Sequence, residues 1–98
     1  MKTRQEIFSI LSEHLGQLRS DFGVGRLGIF GSVLRDEHTS ASDIDILVEF
    51  AQKTGMVEFL RLEYSLQELL DAKVDLVTPK ALKEHVGRRI LSEVRFVS

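Results

Sequence analysis

The segment Asp43-Ile44-Asp45-Ile46-Leu47-Val48-Glu49-Phe50 alternates with a period of two, and no other stretch limits the fold as strongly. Successive side chains of a strand point to opposite faces, so Ile44, Ile46, Val48 and Phe50 share one face. Asp43, Asp45, Leu47 and Glu49 share the other. One face needs a core, and the other carries two carboxylates side by side.

The flanking sequence supplies the remaining elements. Thr3 and Glu6 have the spacing of a capping box, and Ile7, Leu11, Leu15, Leu18 and Phe22 recur at helical intervals, predicting a first helix of about 20 residues ended by Gly23 and Gly25. Arg26 to Phe30 reads as a short strand, and Gly31-Ser32 turns it into a short helix through Val33-Leu34-Arg35 capped by Ser32. A polar loop from His38 to Ser42 precedes the alternating strand, and Gln52 to Gly55 follows it. Val57 to Leu70 carries Phe59, Leu62, Leu66, Leu69 and Leu70 on a helical face. Lys73 to Val77 is a strand candidate. Thr78-Pro79 then opens a helical C-terminal third with a break at or just before Gly87, and Arg95 to Val97 returns as an edge strand. The order is α/β, one small sheet covered by helices, and its pairing directions are not readable from the chain.

Ninety-eight residues without repeat or linker fit one domain, 1–98. No apolar run approaches the roughly 20 residues that cross a bilayer, and the start lacks a signal peptide's apolar core. The absence of cysteine excludes disulfides and thiolate metal sites. A cytoplasmic protein without a membrane partner is the expectation. The net charge of -2 gives no global attraction to nucleic acid. Lys80, Lys83, Arg88 and Arg89 are read as the solvated face of a helix, and His14, His38 and His85 lack metal-ligand spacing. The single tyrosine, Tyr64, is read as a packing residue.

Chemistry concentrates at three places. Alternation puts Asp43 and Asp45 on one strand face with Cα atoms roughly 6.5 to 7 Å apart, close enough to share metal ions. Asp75 interrupts the apolar run Val74-Asp75-Leu76 and joins them only if its strand pairs alongside. Three carboxylates repel by about 4 kcal/mol per pair at 4 Å and an effective dielectric of 20, so such a cluster calls for cations, and magnesium suits hard oxygen ligands. Gly31 allows close backbone approach, Ser32 adds a hydroxyl, and the helix start offers N–H groups to a phosphate. Arg35 reaches either a phosphate oxygen or a nearby acid such as Asp36 or Glu37. Each piece alone has a plainer reading: a capped turn, the wet face of an exposed strand, an acid on an edge strand. Their order and spacing together favour a site.

Gly31-Ser32-Val33-Leu34-Arg35, then Ser42-Asp43-Ile44-Asp45-Ile46, then Lys73-Val74-Asp75-Leu76-Val77 resembles the minimal nucleotidyltransferases (MNT) of the DNA polymerase β superfamily, over most of the chain. The resemblance implies a small mixed β-sheet flanked by helices, the polymerase β-like nucleotidyltransferase fold. It also implies that Asp43, Asp45 and Asp75 are catalytic and bind Mg2+, two ions in all, while Gly31, Ser32 and Arg35 contact the nucleotide. Val33, Leu34 and Asp36 depart from the pattern: many relatives have a small or basic pair before the arginine and glycine after it.

Larger superfamily members append an acceptor-recognising domain, for which this chain has no sequence. That points to an acceptor presented by another protein, as in the modules pairing an MNT antitoxin with a HEPN ribonuclease toxin. The expected reaction is transfer of AMP from ATP to a toxin hydroxyl, a tyrosine, within a hetero-complex or homo-oligomer. The alternatives are neutralisation by binding alone, and nucleotidyl transfer to RNA or a small molecule.

Overall fold

A computed structural model describes residues 1–82 and 84–98. Lys83, one of the four cations noted above, lies outside the described residues. The first helix, α1 (Arg4–Phe22), starts as its sequence requires: Thr3 Oγ1 accepts from the Glu6 N–H at 3.1 Å while the Glu6 carboxylate accepts from the Thr3 N–H at 3.1 Å. Gly23 ends it in the left-handed region, φ 71°, with its N–H donating to the Arg19 carbonyl. Gly25 is not part of that stop. It lies within β1 (Val24–Phe30), which starts earlier than expected and carries a bulge between Val24 and Arg26.

The chain continues through α2 (Gly31–Leu34), β2 (Ile44–Phe50), α3 (Met56–Leu70), β3 (Val74–Val77), a 3-10 turn at Pro79–Ala81, α4 (Glu84–Glu93) and β4 (Arg95–Phe96). The sheet order is β3-β2-β1-β4. β1 runs antiparallel to both β2 and β4, while β2 and β3 are parallel, so the sheet is mixed as expected. Parallel neighbours require a crossover, and α3 provides it.

The core forms where α1 and α3 meet the sheet. Ile7, Leu11, Leu15 and Leu18 of α1 and Leu62, Leu66 and Leu70 of α3 bury with Leu27, Ile29, Ile44, Ile46, Val48, Val74 and Leu76. Among the described residues no polar or charged side chain is fully buried. The carboxylates are therefore confined to the outer face and its margins.

Two local expectations change and one open choice is settled. Ser32 is not a cap: Phe30 precedes the first turn of α2, no side chain caps it, and Ser32 is already its second residue. The interruption in the C-terminal third comes before Gly87, because Pro79–Ala81 closes as a 3-10 turn and Leu82 is extended. Gly87 lies inside α4, where a Cβ would stand 3.3 Å from Leu82 Cβ, so close packing accounts for it. Tyr64 is 63% exposed and does not pack into the core.

Candidate active site

The parallel register sets Asp45 of β2 opposite Asp75 of β3, the condition left open by the sequence. On the other side, the antiparallel register sets Phe30 opposite Asp45, so the next residue, Gly31, turns into α2 directly beside that carboxylate. Gly31 has φ 75°, and a Cβ there would run into Asp45 Oδ2. Glycine is thus demanded twice, by the backbone conformation and by the carboxylate occupying the side-chain position. Asp43 is exposed just before β2. The three aspartates and Gly31 come from the ends of three adjacent strands on one side of the sheet.

The electrostatics reflect this crowding. Burial pushes Asp45 up to about 6, and the charges of Asp75, Asp43 and Glu93 add to the rise; Arg35 pulls the other way. The positive charge of Arg35 does not offset burial and the like charges around it. Among the described residues no three His, Cys, Asp or Glu side chains are gathered tightly enough to hold a metal ion. The chemistry of the donors nevertheless fits magnesium, which takes carboxylate oxygens and retains part of its water shell.

The phosphate side differs from expectation in its wiring. A four-residue α2 is too short for a helix dipole of any weight, leaving the backbone N–H groups of the turn and the Ser32 hydroxyl. The Gly31 N–H donates to Glu93 Oε1 at 3.2 Å. Arg35 takes the acid-pairing option: its Nε donates to Glu37 Oε1 at 2.7 Å and its Nη1 to Glu93 Oε1 at 3.4 Å. Glu93 was not singled out by sequence reasoning, and no local spacing links it to residues 31 and 35. The only trace is its position one residue before the edge strand. Asp36 adopts φ 59°, a left-handed turn conformation that glycine favours and aspartate tolerates.

Other candidates stay outside the site. His14 and His38 bond to the carbonyls of Ile10 and Lys2, and Lys80, Arg88 and Arg89 are exposed. A groove of about 990 Å³ runs between the end of β2, the 52–55 loop, the start of α3 and Thr78–Ala81, and none of the three aspartates lines it. Among the described residues, charge, glycine turn and strand register converge at the carboxylates.

Residues 11–97 match the nucleotidyltransferase domain family. The chain belongs to that family. This nucleotidyltransferase is 43% identical over 97 residues to protein adenylyltransferase MntA of Thermococcus cleftensis, covering 99% of this chain and 98% of that one. A solved structure provisionally described as a minimal nucleotidyltransferase superposes with a TM-score of 0.82 at 29% identity, over 96% of this chain and 95% of that one. The same fold occurs in a structure of a tri-AMPylated Shewanella oneidensis HEPN toxin in complex with MNT antitoxin, with a TM-score of 0.66 at 20% identity, over 93% of this chain and 71% of that one. Among the described residues of the nucleotidyltransferase, no helix is long and apolar enough to cross a membrane.

Proposed function

We propose that this nucleotidyltransferase is a cytoplasmic, one-domain antitoxin that transfers AMP from ATP to a tyrosine hydroxyl of a HEPN toxin. The opposition of Asp45 and Asp75 beside the Gly31 turn carries the reading, because it brings residues of the family motif together at the ends of adjacent strands. The MntA name of the relative from Thermococcus cleftensis supports protein adenylylation, and the AMPylated toxin in the Shewanella oneidensis complex supports the acceptor class.

In this reading Gly31, Ser32 and Arg35 orient the triphosphate, and Asp43, Asp45 and Asp75 hold Mg2+. When bound, magnesium neutralises charge on the triphosphate and activates the attacking oxygen. The acceptor oxygen attacks the α-phosphorus as the bond from that phosphorus to the β-phosphate oxygen breaks. Pyrophosphate leaves with the electron pair. Asp75, the exposed member of the opposed pair, takes the hydroxyl proton. The test is to incubate the protein, ATP and magnesium with the HEPN toxin proposed as its partner, then map the mass change. AMP on a tyrosine is expected; an unmodified partner contradicts the proposal.

A second reading, neutralisation by binding alone, draws on another observation. Met56, Val57, Leu60 and Tyr64 form an exposed stripe along α3, 70%, 67%, 52% and 63% exposed, of the kind proteins use to meet partners. Full protection of cells by the Asp43→Asn/Asp45→Asn variant would favour it over chemistry. Loss of protection with the complex intact would favour transfer.

A further inference from the structure

Glu93 is the last residue of α4, and only Val94 separates it from β4. Pairing of Phe96 with Gly28 and of Arg95 with Ile29 fixes this end of the helix beside β1. Val94 packs on Gly28 so closely that a Cβ there would lie 2.5 Å from Val94 Cγ2. The Glu93 carboxylate is thereby delivered to the site, where one oxygen accepts from the Gly31 N–H at 3.2 Å and from Arg35 Nη1 at 3.4 Å.

Those are two of the groups that the proposed function gives to the triphosphate. Carboxylate and phosphate oxygens are both anionic acceptors, and one N–H cannot serve both in good geometry. Glu93 also adds a negative charge near Asp45. A triphosphate entering this site therefore meets an occupied backbone donor, an engaged arginine and a like charge.

We infer that Glu93 is a built-in competitor for the triphosphate: it closes the Gly31 turn and Arg35 when nucleotide is absent, and must withdraw before the phosphates can bind. The inference rests on the reading of Gly31 and Arg35 as phosphate contacts. Withdrawal is physically accessible. The carboxylate side chain is 31% exposed, and the strand that anchors it is two residues long at the edge of the sheet. Glu93 thus sets nucleotide affinity from the C-terminal end of the chain.

The test is titration of the full chain with AMP-PNP and magnesium, comparing wild type, Glu93→Gln and Glu93→Ala by calorimetry. Gln keeps the shape and an acceptor but loses the charge; Ala removes both. We expect Ala to bind on the order of tenfold more tightly than wild type, about 1.4 kcal/mol, with Gln between them. If wild type binds and both variants bind equally or more weakly, Glu93 only supports the turn and the inference is overturned. If none of the three binds nucleotide, the reading of Gly31 and Arg35 as phosphate contacts fails, and the inference falls with it.

Discussion

Asp45 and Asp75 stand directly opposite one another across the parallel pairing of β2 and β3. Thirty residues of sequence separate them, and the α3 crossover closes that distance by bringing β3 back alongside β2 in the same direction. The acidic site is therefore a product of topology. Only the Asp43–Asp45 part of it is local.

Removing one member of the pair should be visible in the other. Asp75→Asn deletes the largest charge contribution to the raised Asp45, so the Asp45 midpoint should fall from about 6 while burial still keeps it above the ordinary range. Transfer should drop by roughly 10²- to 10⁴-fold, the usual range for loss of a general base. Carboxyl-carbon NMR titration of the metal-free protein checks the midpoint. An unmoved value would mean that the two carboxylates do not sense each other.

Stability should carry the same signature. Asp45 is raised from an ordinary value of 3.8 to about 6, so the fold favours its neutral form. Its stabilising contribution is complete below about pH 3.8 and is lost as the pH rises through about 6. Asp45→Asn stays neutral and should exceed wild type above that window by about 1 to 2 kcal/mol, a figure discounted because the carboxylate is only partly buried. The difference should vanish at the acid end. Urea unfolding without metal at the two ends of the window measures it.

Much of this fold could be read from the chain. The capping box, Gly23, the apolar stripes of α1 and α3 and the alternation in β2 are local signals, and each appears where the sequence places it. Pairing direction was not legible, because register depends on contacts between distant segments. Glu93 escaped for the same reason: its partners, Gly31 and Arg35, lie 62 and 58 residues earlier in the sequence. Ser32 was misread as a cap because the φ of Gly31, which moves the helix start back, has no marker beyond the glycine itself.

That φ has a testable cost. Gly31→Ala combines a left-handed backbone with a Cβ that runs into Asp45 Oδ2, and it should destabilise the protein by about 2 to 4 kcal/mol. Displacing the carboxylate should also remove transfer. Thermal unfolding with a parallel activity assay tests both effects. A variant with unchanged stability would contradict the close packing of Gly31 on Asp45.

Asp36 offers the opposite case. Its φ of 59° is one that aspartate tolerates and glycine adopts freely. Asp36→Gly should therefore be neutral to stabilising, by up to about 1 kcal/mol, even after the extra unfolded-state entropy of glycine is included. Denaturant midpoints compare the two proteins. A clear loss of stability would show that the Asp36 side chain contributes more to the turn than its backbone strain removes.

The central claim is that the Asp43–Asp45–Asp75 edge transfers a nucleotide to a protein. The most direct measurement incubates wild type and the Asp43→Asn/Asp45→Asn variant with the proposed HEPN partner, magnesium, and ATP labelled at either the α- or the γ-phosphate. The account predicts label on the partner from α-labelled ATP alone, with wild type alone. Absence of label from the authentic partner, transfer from the γ-position, or full labelling by the double variant would contradict it.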